Sequence, residues 1–456
     1  MAGTLSLGSV STRLTRIAQL ARGAPGMVFT SLWHVIDVYL LGEAYWRTRK
    51  DGAAGVDGQT AEEYAREQGQ NLRLLLDRFR SGTYEAPPVR RVDIPKGNGT
   101  KTRPIGIPTF EDKVLQRAVT MVLEAIYEQD FRDCSYGFRP HRSAHQALEA
   151  LREGMMKMHG GWVLEVDIQS FFDTLAYGHL RSFLDQRVRD GVLRRMIDKW
   201  LKAGVLEEGV VHHPKEGTPQ GGVISPVLAN IYLHNVLDAW FEDVVKPRLK
   251  GPAFLVRYAD DIAIVLERED DARRVMGVLP KRFAKYGLTL HPEKTRLLPF
   301  HRPHLYAGPK GMYRGQRPGT FDFLGFTHQW CRTLRGGWVV KRKTAESRLT
   351  RALKRIAEWC RENRHRPVAE QRETLGQKLK GHYAYYGLTS NGQMLQRFYR
   401  EVVAIWRKWL NRRSQRGNMV WAIFEKLLEQ YPLPQPVVVH SIYRSQQTRS
   451  PKSRMR

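Results

Sequence analysis

Apolar residues in the middle of the chain occur in short runs that end at carboxylates. The run Trp162 to Val166 is partly β-branched and ends at Asp167, and Ala253 to Val256 is a second such run. The second run is followed by Tyr258-Ala259-Asp260-Asp261 and then by the apolar segment Ile262 to Leu266. We therefore predict three strands, two of them joined by an acidic turn into a hairpin, in an α/β arrangement in which the carboxylates meet at strand ends.

Other spacings of apolar residues predict helices. The stretch Val223 to Leu237 is apolar and has Pro226 near its start, which is typical of a helix. In the last quarter of the chain, apolar residues recur at steps of three and four, which places them on one helix face. They form two sets: Leu349, Leu353, Ile356 and Cys360, and then Leu395, Phe398, Val402, Ile405 and Trp409. Packed helices with basic outer surfaces are expected there.

The charge of the chain is concentrated in that last quarter. The 456 residues include 74 Lys and Arg against 46 Asp and Glu. Residues 331–456 hold 28 Lys or Arg and 8 Asp or Glu, an excess of 20 out of the whole chain's 28. Such a potential suits a polyphosphate partner, above all nucleic acid, although arginines also form ordinary solvated helix faces. The aromatic segment His382-Tyr383-Ala384-Tyr385-Tyr386 suits either stacking on bases or an aromatic core.

Membrane insertion and cysteine chemistry are not indicated. No stretch reaches the roughly 20 uninterrupted apolar residues that cross a bilayer. Three cysteines without a Cys-x-x-Cys pair support neither a disulfide framework nor a cysteine zinc site, which fits a reducing compartment such as the bacterial cytoplasm. Residues 1–36 are basic and contain no Asp or Glu, which fits a helical extension touching RNA or, alternatively, an organelle transit peptide.

Carboxylates at strand ends suit divalent metal ions. Mg²⁺ prefers hard oxygen ligands, and a two-ion site needs carboxylates within a few ångströms of each other. Asp167 at the end of one strand and Asp260 in a hairpin turn would supply them. An isolated Tyr-x-Asp-Asp is weak evidence, because acidic hairpin turns are common.

Further motifs make the pattern specific. In chain order they are Ile94-Pro95-Lys96, Arg103-Pro104-Ile105-Gly106-Ile107-Pro108, Ser135-Tyr136-Gly137-Phe138-Arg139-Pro140, Asp167-Ile168-Gln169-Ser170-Phe171-Phe172-Asp173, Thr218-Pro219-Gln220-Gly221-Gly222, Tyr258-Ala259-Asp260-Asp261, Pro292-Glu293-Lys294-Thr295 and Phe323-Leu324-Gly325. With these motifs in this order, the chain resembles the group II intron reverse transcriptases from about residue 50 to its end.

The resemblance implies a fold and a domain order. It implies an α/β right-hand polymerase, with fingers and a palm that has a ferredoxin-like catalytic core, followed by an α-helical thumb and a basic maturase domain. The expected boundaries are residues 1–50 for a basic N-terminal extension, 51–160 for the fingers, 161–330 for the palm with interspersed fingers elements, 331–385 for the thumb and 386–456 for the RNA-binding maturase domain.

The resemblance also implies roles for individual residues. Asp167, Asp260 and Asp261 would bind two Mg²⁺ ions, or Mn²⁺, and would be catalytic. The expected nucleotide contacts are Lys96 and Arg103 on the triphosphate, Gln220 in the pocket, Phe172 against the 2′-hydroxyl of a ribonucleotide, and Lys294 as a proton donor or counter-charge for pyrophosphate. Leu324 and Gly325 would hold the primer end. The alternatives are surface salt bridges for Lys96 and Arg103, a plain turn at Gln220, core packing for Phe171 or Phe172, a surface lysine at Lys294 and a bulge at Gly325.

The function that the resemblance implies is RNA-directed DNA synthesis combined with binding of a group II intron RNA, which assists splicing and mobility by target-primed reverse transcription. The implied partners are the intron RNA template, a DNA primer or target and dNTPs. No paired Cys and His cluster follows Cys360, as the zinc nuclease of larger family members would require, so DNA cleavage by this chain is not expected. Two alternatives remain: a domesticated maturase that only folds RNA, and a relative recruited to defence or DNA repair.

Overall fold

The computed structural model describes residues 3–96, 101–207, 210–212, 221–303, 319–414 and 419–441. The chain forms two compact units. Unit 1 comprises Met1–Gly154 and Gly161–Pro299, and unit 2 comprises Met155–Gly160 and Phe300–Arg456. The expected domain boundaries at residues 50, 160, 330 and 385 stay predictions.

Unit 1 mixes helices with two four-stranded sheets. Its helices are α1 (Gly3–Gly23), α2 (Val38–Arg47), α3 (Ala61–Arg66), α4 (Gln68–Ser81), α5 (Phe110–Tyr127), α6 (Ala144–Lys157), whose last residues belong to unit 2, α7 (Tyr177–Asp185), α8 (Gly191–Lys202), α9 (Ser225–Leu233) and α10 (Glu269–Ala284). Its strands are β1 (Val89–Lys96), β2 (Lys101–Ile107), β3 (Trp162–Val166), β4 (Val205–Glu207), β5 (Val210–His212), β6 (Ala253–Tyr258), β7 (Asp261–Leu266) and β8 (Arg296–Pro299).

The first sheet contains the three strands predicted from the apolar runs. Its order is β6-β7-β3-β8, and neighbouring strands are antiparallel. Central strand β7 is buried on both faces from Ile262 to Leu266, because α10 packs against the sheet and other apolar side chains cover the opposite face. Burial on both faces explains why this strand is a continuous apolar run without alternation.

The second sheet of unit 1 has the order β2-β1-β4-β5. Strands β1 and β2 are antiparallel, with Ile94 opposite Arg103, and β1 pairs with β4 in parallel. Two residues predicted to bind a triphosphate, Lys96 and Arg103, therefore belong to neighbouring strands, but their side chains lie outside the described part of the chain.

The helix predicted over Val223–Leu237 is confirmed in its first part and changes character in its last. Regular α-helix α9 begins at Ser225 with Pro226 in its first turn, where a missing N–H is tolerated. From His234 to Asp238 the chain continues as a wider π-helical turn. Such turns are often found at functional sites.

Over its described residues, unit 2 combines a three-stranded sheet with four α-helices that follow the sheet in the chain. The sheet has the order β11-β10-β9, built from β9 (Thr320–Phe323), β10 (Phe326–Arg332) and β11 (Trp338–Thr344). The helices are α11 (Glu346–Glu362), α12 (Val368–Tyr386), α13 (Gly392–Asn411) and α14 (Trp421–Gln430).

Both predicted apolar helix faces of unit 2 are present. Leu349, Ile356 and Cys360 are buried on α11. On α13, the buried residues after Val402 are Val403, Trp406 and Leu410, while the predicted Ile405 and Trp409 are only partly buried. The buried face drifts in this way because 3.6 residues make one turn, so that steps of three and four do not stay in phase over a long helix.

Among the described helices, none combines the length and the apolarity needed to cross a bilayer.

Candidate active site

The three acidic residues predicted to carry the chemistry lie at one edge of the sheet β6-β7-β3-β8. Strand β3 ends at Val166, which pairs with Ile262, and β7 begins at Asp261. Continuing this antiparallel register by one residue puts Asp167 opposite Asp261. Asp260 precedes Asp261 in the turn that joins β6 to β7. We call Asp167, Asp260 and Asp261 the carboxylate edge.

The carboxylate edge stands at the border between core and solvent. The side chain of Asp167 is 39% exposed, Asp260 is half-buried and Asp261 is exposed. The residues next to them in the strands, Val166 and Ile262, are each 3% exposed. The edge therefore combines a rigid apolar base with acidic groups that a solute can reach.

The turn within this edge has an unusual backbone. Tyr258 pairs with Asp261, which leaves Ala259 and Asp260 as the two turn residues. Ala259 has φ +56°, a left-handed conformation that a residue with a Cβ rarely adopts. Such a conformation persists only where surrounding contacts determine it, and it is common at functional sites.

The segment after α10 holds Asp167 in place. The N–H of His291 donates to the carbonyl of Asp167 at 2.8 Å, and the N–H of Gln169 donates to the carbonyl of Thr289 at 2.8 Å. The hydroxyl of Thr295 lies 3.4 Å from both the N–H and the carbonyl oxygen of Asp167. The backbone on both sides of the carboxylate is thereby fixed to a second segment.

The same segment brings Lys294 to the carboxylate edge. Its Nζ lies 3.3 Å from Oδ1 and 3.5 Å from Oδ2 of Asp167. The Lys294 side chain is 56% exposed, so this ion pair is screened by solvent and its contribution to stability is small. A weakly held ammonium beside Asp167 is free to turn toward a more highly charged anion.

The two phenylalanines after Asp167 have different environments. Phe171 is 3% exposed and belongs to the core of unit 1, whereas Phe172 is partly buried against that core. Their rings meet edge to face, with centroids 5.3 Å apart. Ser170, with φ +46°, begins the turn that directs the two rings differently. Phe172 is the ring that remains accessible from outside.

The predicted nucleotide residue Gln220 lies outside the described residues, but its neighbour Gly221 is described. Gly221 has φ +119°, and a Cβ added there would lie 2.4 Å from the carbonyl oxygen of Gly106 on β2. Only glycine allows this approach. The chain next to Gln220 is therefore packed on the strand that also carries Arg103.

The predicted primer-end residues form a hairpin turn. Leu324 and Gly325 connect β9 to β10 and have φ +48° and +78°, which is the geometry of a two-residue hairpin loop and differs from a bulge within a strand. The Tyr385 hydroxyl donates to the Leu324 carbonyl at 2.9 Å, and the Ala345 N–H donates to the Gly325 carbonyl at 3.0 Å. Within unit 2, the turn is thus tied to α12.

The donor chemistry of the carboxylate edge fits divalent cations, since carboxylate oxygens are the hard ligands that Mg²⁺ and Mn²⁺ take. Within the described ranges, no three His, Cys, Asp or Glu side chains are gathered closely enough to hold a metal ion. The acidic groups share an edge without converging on one point, as mutual repulsion and the Asp167–Lys294 pair favour.

A buried polar network beneath the turn was not predicted from the sequence. Its centre is Arg257 on β6, which is fully buried and forms an ion pair with the equally buried Asp238. One signal was available: a charged residue near the end of a strand that is otherwise mainly apolar must find a partner when it is buried. The identity of that partner could not be predicted, since Asp238 lies in another element.

Comparison with known proteins agrees, over half of the chain, with the family resemblance that the motifs indicate. The family described as reverse transcriptase (RNA-dependent DNA polymerase) matches residues 94–328. Group II intron-encoded protein LtrA of Lactococcus lactis subsp. cremoris is 38% identical over 229 residues, which is 49% of this chain and 37% of LtrA. Protein YkfC of Escherichia coli is 42% identical over 183 residues, which is 40% of this chain and 48% of that protein.

A relative of lower sequence identity is found in Saccharomyces cerevisiae. The putative COX1/OXI3 intron 1 protein of Saccharomyces cerevisiae is 29% identical over 315 residues, which is 58% of this chain and 37% of that protein. This chain therefore matches less than half of the length of each of these three relatives.

Proposed function

Because this chain belongs to the reverse transcriptase (RNA-dependent DNA polymerase) family, which has a right-hand polymerase fold, we propose that it copies RNA into DNA at the carboxylate edge. The observation that carries the proposal is the register of β3 and β7, which puts Asp167 opposite Asp261 with Asp260 beside it. Its relatives include a protein named as group II intron-encoded and two named as nuclear intron maturases. These names support a second role in binding a group II intron RNA for splicing and mobility.

Reverse transcriptases generally use divalent metal ions, and we propose that Asp167, Asp260 and Asp261 hold two Mg²⁺ ions here. When bound, the ions supply a Lewis acid for the attacking 3′-hydroxyl and for the leaving phosphate oxygens. The protein's own part is to fix the acidic groups on a rigid edge, through the β3–β7 pairing and the hydrogen bonds on either side of Asp167. Preorganisation of this kind lowers the reorganisation needed during reaction.

Two further side chains near Asp167 are assigned roles on dNTP. Lys294, already within 3.5 Å of both Asp167 oxygens, would neutralise or protonate the departing pyrophosphate. Phe172 would exclude a ribose 2′-hydroxyl, because a ring fills the space and accepts no hydrogen bond. The roles of Lys96, Arg103 and Gln220 on the triphosphate and base rest on the sequence motifs alone.

We assign the template and intron RNA mainly to the basic last quarter of the chain. Lys354 and Arg355 are exposed on α11, on the side away from the buried Leu349 and Ile356. The proposed domain order is the one implied by the motifs, with a thumb over residues 331–385 and a maturase domain over 386–456. Leu324 and Gly325 would meet the primer end, and the bacterial cytoplasm is the proposed location.

Primer extension tests the polymerase proposal. A DNA primer on an RNA template is incubated with dNTPs and Mg²⁺, and the native chain is compared with Asp260→Ala. We expect extension by the native chain and its loss in the variant, with RNA binding retained. A matched control is Asp270→Ala, which removes an exposed carboxylate paired with Arg268 and Lys250. The control should extend normally, and a folded native chain that binds RNA but never extends a primer would refute the proposal.

RNA binding is tested separately by its salt dependence. If the basic quarter contacts phosphates, each neutralised phosphate releases condensed counterions, and the logarithm of the affinity falls linearly with the logarithm of the salt concentration. A Lys354→Glu, Arg355→Glu variant should bind intron RNA more weakly and with a shallower slope. An affinity that does not change with salt would assign RNA binding to another mode of contact.

A further inference from the structure

A fully buried arginine lies directly beneath the turn of the carboxylate edge. Arg257 is the residue before Tyr258 on β6, and its side chain is 0% exposed. Burying a charged group is unfavourable unless it is paired and hydrogen-bonded. Its partners therefore show what this position is built to hold.

Each N–H of the Arg257 guanidinium has a partner. Nε and Nη2 donate to the two oxygens of Asp238 at 2.8 and 2.6 Å, in a bidentate pair. Nη2 also donates to Oγ of Ser135 at 2.8 Å, and Nη1 donates to Oδ1 of Asn230 at 3.0 Å. The last bond runs from Nη1 to the carbonyl oxygen of Ala259 at 3.1 Å. That carbonyl belongs to the residue immediately before Asp260.

The same network docks a second segment onto the turn. The N–H of Tyr136 donates to the Arg257 carbonyl at 2.8 Å, and Asn230 donates to the Gly137 carbonyl at 2.8 Å. A Cβ added to Gly137 would lie 2.3 Å from the nitrogen of Ala259, so backbone packs directly on backbone. The left-handed conformation of Ala259 is thus determined from two sides, by the guanidinium below it and by Gly137 beside it.

The network is not explained by stability alone. A buried ion pair is often no more stabilising than apolar residues of similar volume, because desolvation offsets the attraction. Burial is the largest single influence and opposes the charge of Arg257, yet the attraction and the hydrogen bonds of Asp238, together with other nearby groups, raise the pKa of the guanidinium. A rigid, permanently charged fork that ends on the turn backbone offers something an apolar side chain does not: a fixed direction for the Ala259 carbonyl and for the residue after it.

We propose that Arg257 is a positioning residue of the polymerase site, which fixes the Ala259 carbonyl and thereby aims the Asp260 carboxylate at the divalent ion. This inference rests on the proposed function. It assigns to Asp238, Ser135 and Asn230 the role of holding the guanidinium in one orientation. Groups that orient a metal ligand in this way typically change metal affinity about 10-fold or more when they are replaced.

The test compares Arg257→Lys with a matched variant, Arg187→Lys. Lysine keeps the charge but cannot reach Asp238 and the Ala259 carbonyl together. Arg187 is also buried in unit 1, paired with Asp130 and bonded to the carbonyls of Ala21, Ala24 and Met27. Replacing it removes a comparable buried fork away from the turn. Thermal unfolding of both variants measures how far each one weakens the fold.

Two readouts follow the metal site. The first is the Mg²⁺ concentration that gives half-maximal primer extension, and the second is Mn²⁺ binding by electron paramagnetic resonance, with the Asp260→Ala chain as background. In Arg257→Lys, we expect the half-maximal Mg²⁺ concentration and the dissociation constant for Mn²⁺ to rise about 10-fold, with extension largely recovered at saturating metal. Both quantities should stay unchanged in Arg187→Lys. Native constants in a folded Arg257→Lys chain would overturn the inference.

A second variant guards against simple misfolding. In Arg257→Met, Asp238→Leu the buried pair is replaced by apolar side chains, which buried ion pairs often tolerate. It should fold and still show the weakened Mn²⁺ binding, because the Ala259 carbonyl has lost its donor. Failure of both Arg257 variants to fold while Arg187→Lys folds would make Arg257 a structural residue and overturn the inference.

The outcome also separates this inference from the proposed function. A native chain that binds Mn²⁺ through Asp260 without extending primers would refute the polymerase proposal, while the Mn²⁺ comparison would still test Arg257. A native chain that binds Mn²⁺ no better than Asp260→Ala would refute both the proposed metal site at Asp260 and the positioning role of Arg257.

Discussion

Each unit buries an arginine in a β-strand, and the two arginines have different neighbours. In unit 1, Arg257 on β6 faces the carboxylate of Asp238, and both side chains are fully buried. In unit 2, Arg342 on β11 is 1% exposed and lies near His328, which is fully buried on β10. Burial, together with the charge of Arg342, lowers the pKa of His328 to about 3, so its ring is neutral at pH 7.

The comparison shows two different titratable neighbours of a buried arginine. Unit 1 supplies a carboxylate, and the resulting network reaches the turn that carries Asp260. Unit 2 keeps the neighbouring imidazole neutral and stacks it on Phe321, with ring centroids 4.7 Å apart. The charge of Arg257 is balanced by the carboxylate of Asp238, whereas the neutral state of the His328 ring depends on pH. Each dependence can be broken separately.

The largest effect is expected from removing the carboxylate in unit 1. Asp238→Ala leaves Arg257 charged and buried without its ion-pair partner, which should lower the free energy of unfolding of unit 1 by about 3–5 kcal/mol. The free energy of unfolding of unit 1 is measured from its transition when the full chain is unfolded in urea. The control Asp270→Ala removes an exposed carboxylate from its pair with Arg268 and should leave that transition unchanged. Equal effects of the two substitutions would mean that Asp238 does not stabilise Arg257.

Acidification is expected to weaken unit 2 through His328. Burial, and then the charge of Arg342, lower the pKa of this ring from 6.5 to about 3. The unfolded chain therefore takes up a proton near pH 6.5 and the folded chain only near pH 3. The stability contributed by the neutral ring is complete above pH 6.5 and is lost as the pH falls toward 3. At about pH 4.5 the loss is roughly 2–3 kcal/mol, measurable by urea unfolding at several pH values.

Two variants separate this effect from other titrations. His328→Met has no proton to bind, so its unfolding free energy should fall less steeply between pH 6.5 and 4.5 than that of the native chain; an unchanged slope would assign the proton uptake elsewhere. Asp112 in unit 1 has the opposite effect on stability as the pH falls, because burial raises the pKa of its carboxyl to about 6. Its protonation favours the folded state, so Asp112→Asn should make the loss of stability in acid steeper.

The neighbouring rings of Phe171 and Phe172 in unit 1 are expected to differ in their effects on folding and on nucleotide selection. The expected effect of Phe172 on nucleotide selection is smaller than the stability changes above. Phe172→Ala should lower the preference for dNTP over NTP about 10-fold, or about 1.4 kcal/mol, because the space for a 2′-hydroxyl opens. Phe171→Ala should instead destabilise unit 1 by roughly 3–5 kcal/mol and leave the sugar preference unchanged, since Phe171 is core. The ratio of kcat/KM for the two nucleotides decides. If the sugar preference changed in Phe171→Ala and not in Phe172→Ala, Phe171 would be the ring that excludes the 2′-hydroxyl.

The parts of the fold that were predicted from the sequence are those with a local signal. Strands β3 and β7 coincide with the predicted apolar runs because both are central and buried on both faces. Helices α11 and α13 follow from their apolar spacing. The helix predicted over Val223–Leu237 is helical to its end, but its change to a π-helical turn at His234 was not predicted, because nothing in an evenly apolar stretch marks such a change.

The acidic residues of the candidate site were predicted from the sequence, whereas the buried residues that hold them in place were not. Asp167 and Asp260 end or join strands, which is visible locally, whereas Arg257 finds Ser135 across 122 positions and Asp238 across 19. No periodicity connects such positions. Leu324 and Gly325 were not predicted as a hairpin turn because leucine rarely adopts a positive φ. The roles of Lys96, Arg103 and Gln220 stay predictions.

The smallest expected difference concerns two glycines in unit 2. Gly325 and Gly336 have φ +78° and +79°, so Ala at either position should lose about 1 kcal/mol of stability from backbone strain alone. A Cβ at Gly336 meets nothing within 4 Å, whereas at Gly325 it would lie 3.1 Å from the Tyr386 hydroxyl. Gly325→Ala should therefore be slightly more destabilising in urea unfolding.

Primer binding then distinguishes a purely structural turn from a primer contact. If Leu324 and Gly325 meet the primer end, Gly325→Ala should raise the KM for the primer while Gly336→Ala leaves it unchanged, because only the first substitution disturbs the turn that Tyr385 fixes through the Leu324 carbonyl. Equal KM values in the two variants, despite unequal stabilities, would limit this turn to packing between β9, β10 and α12.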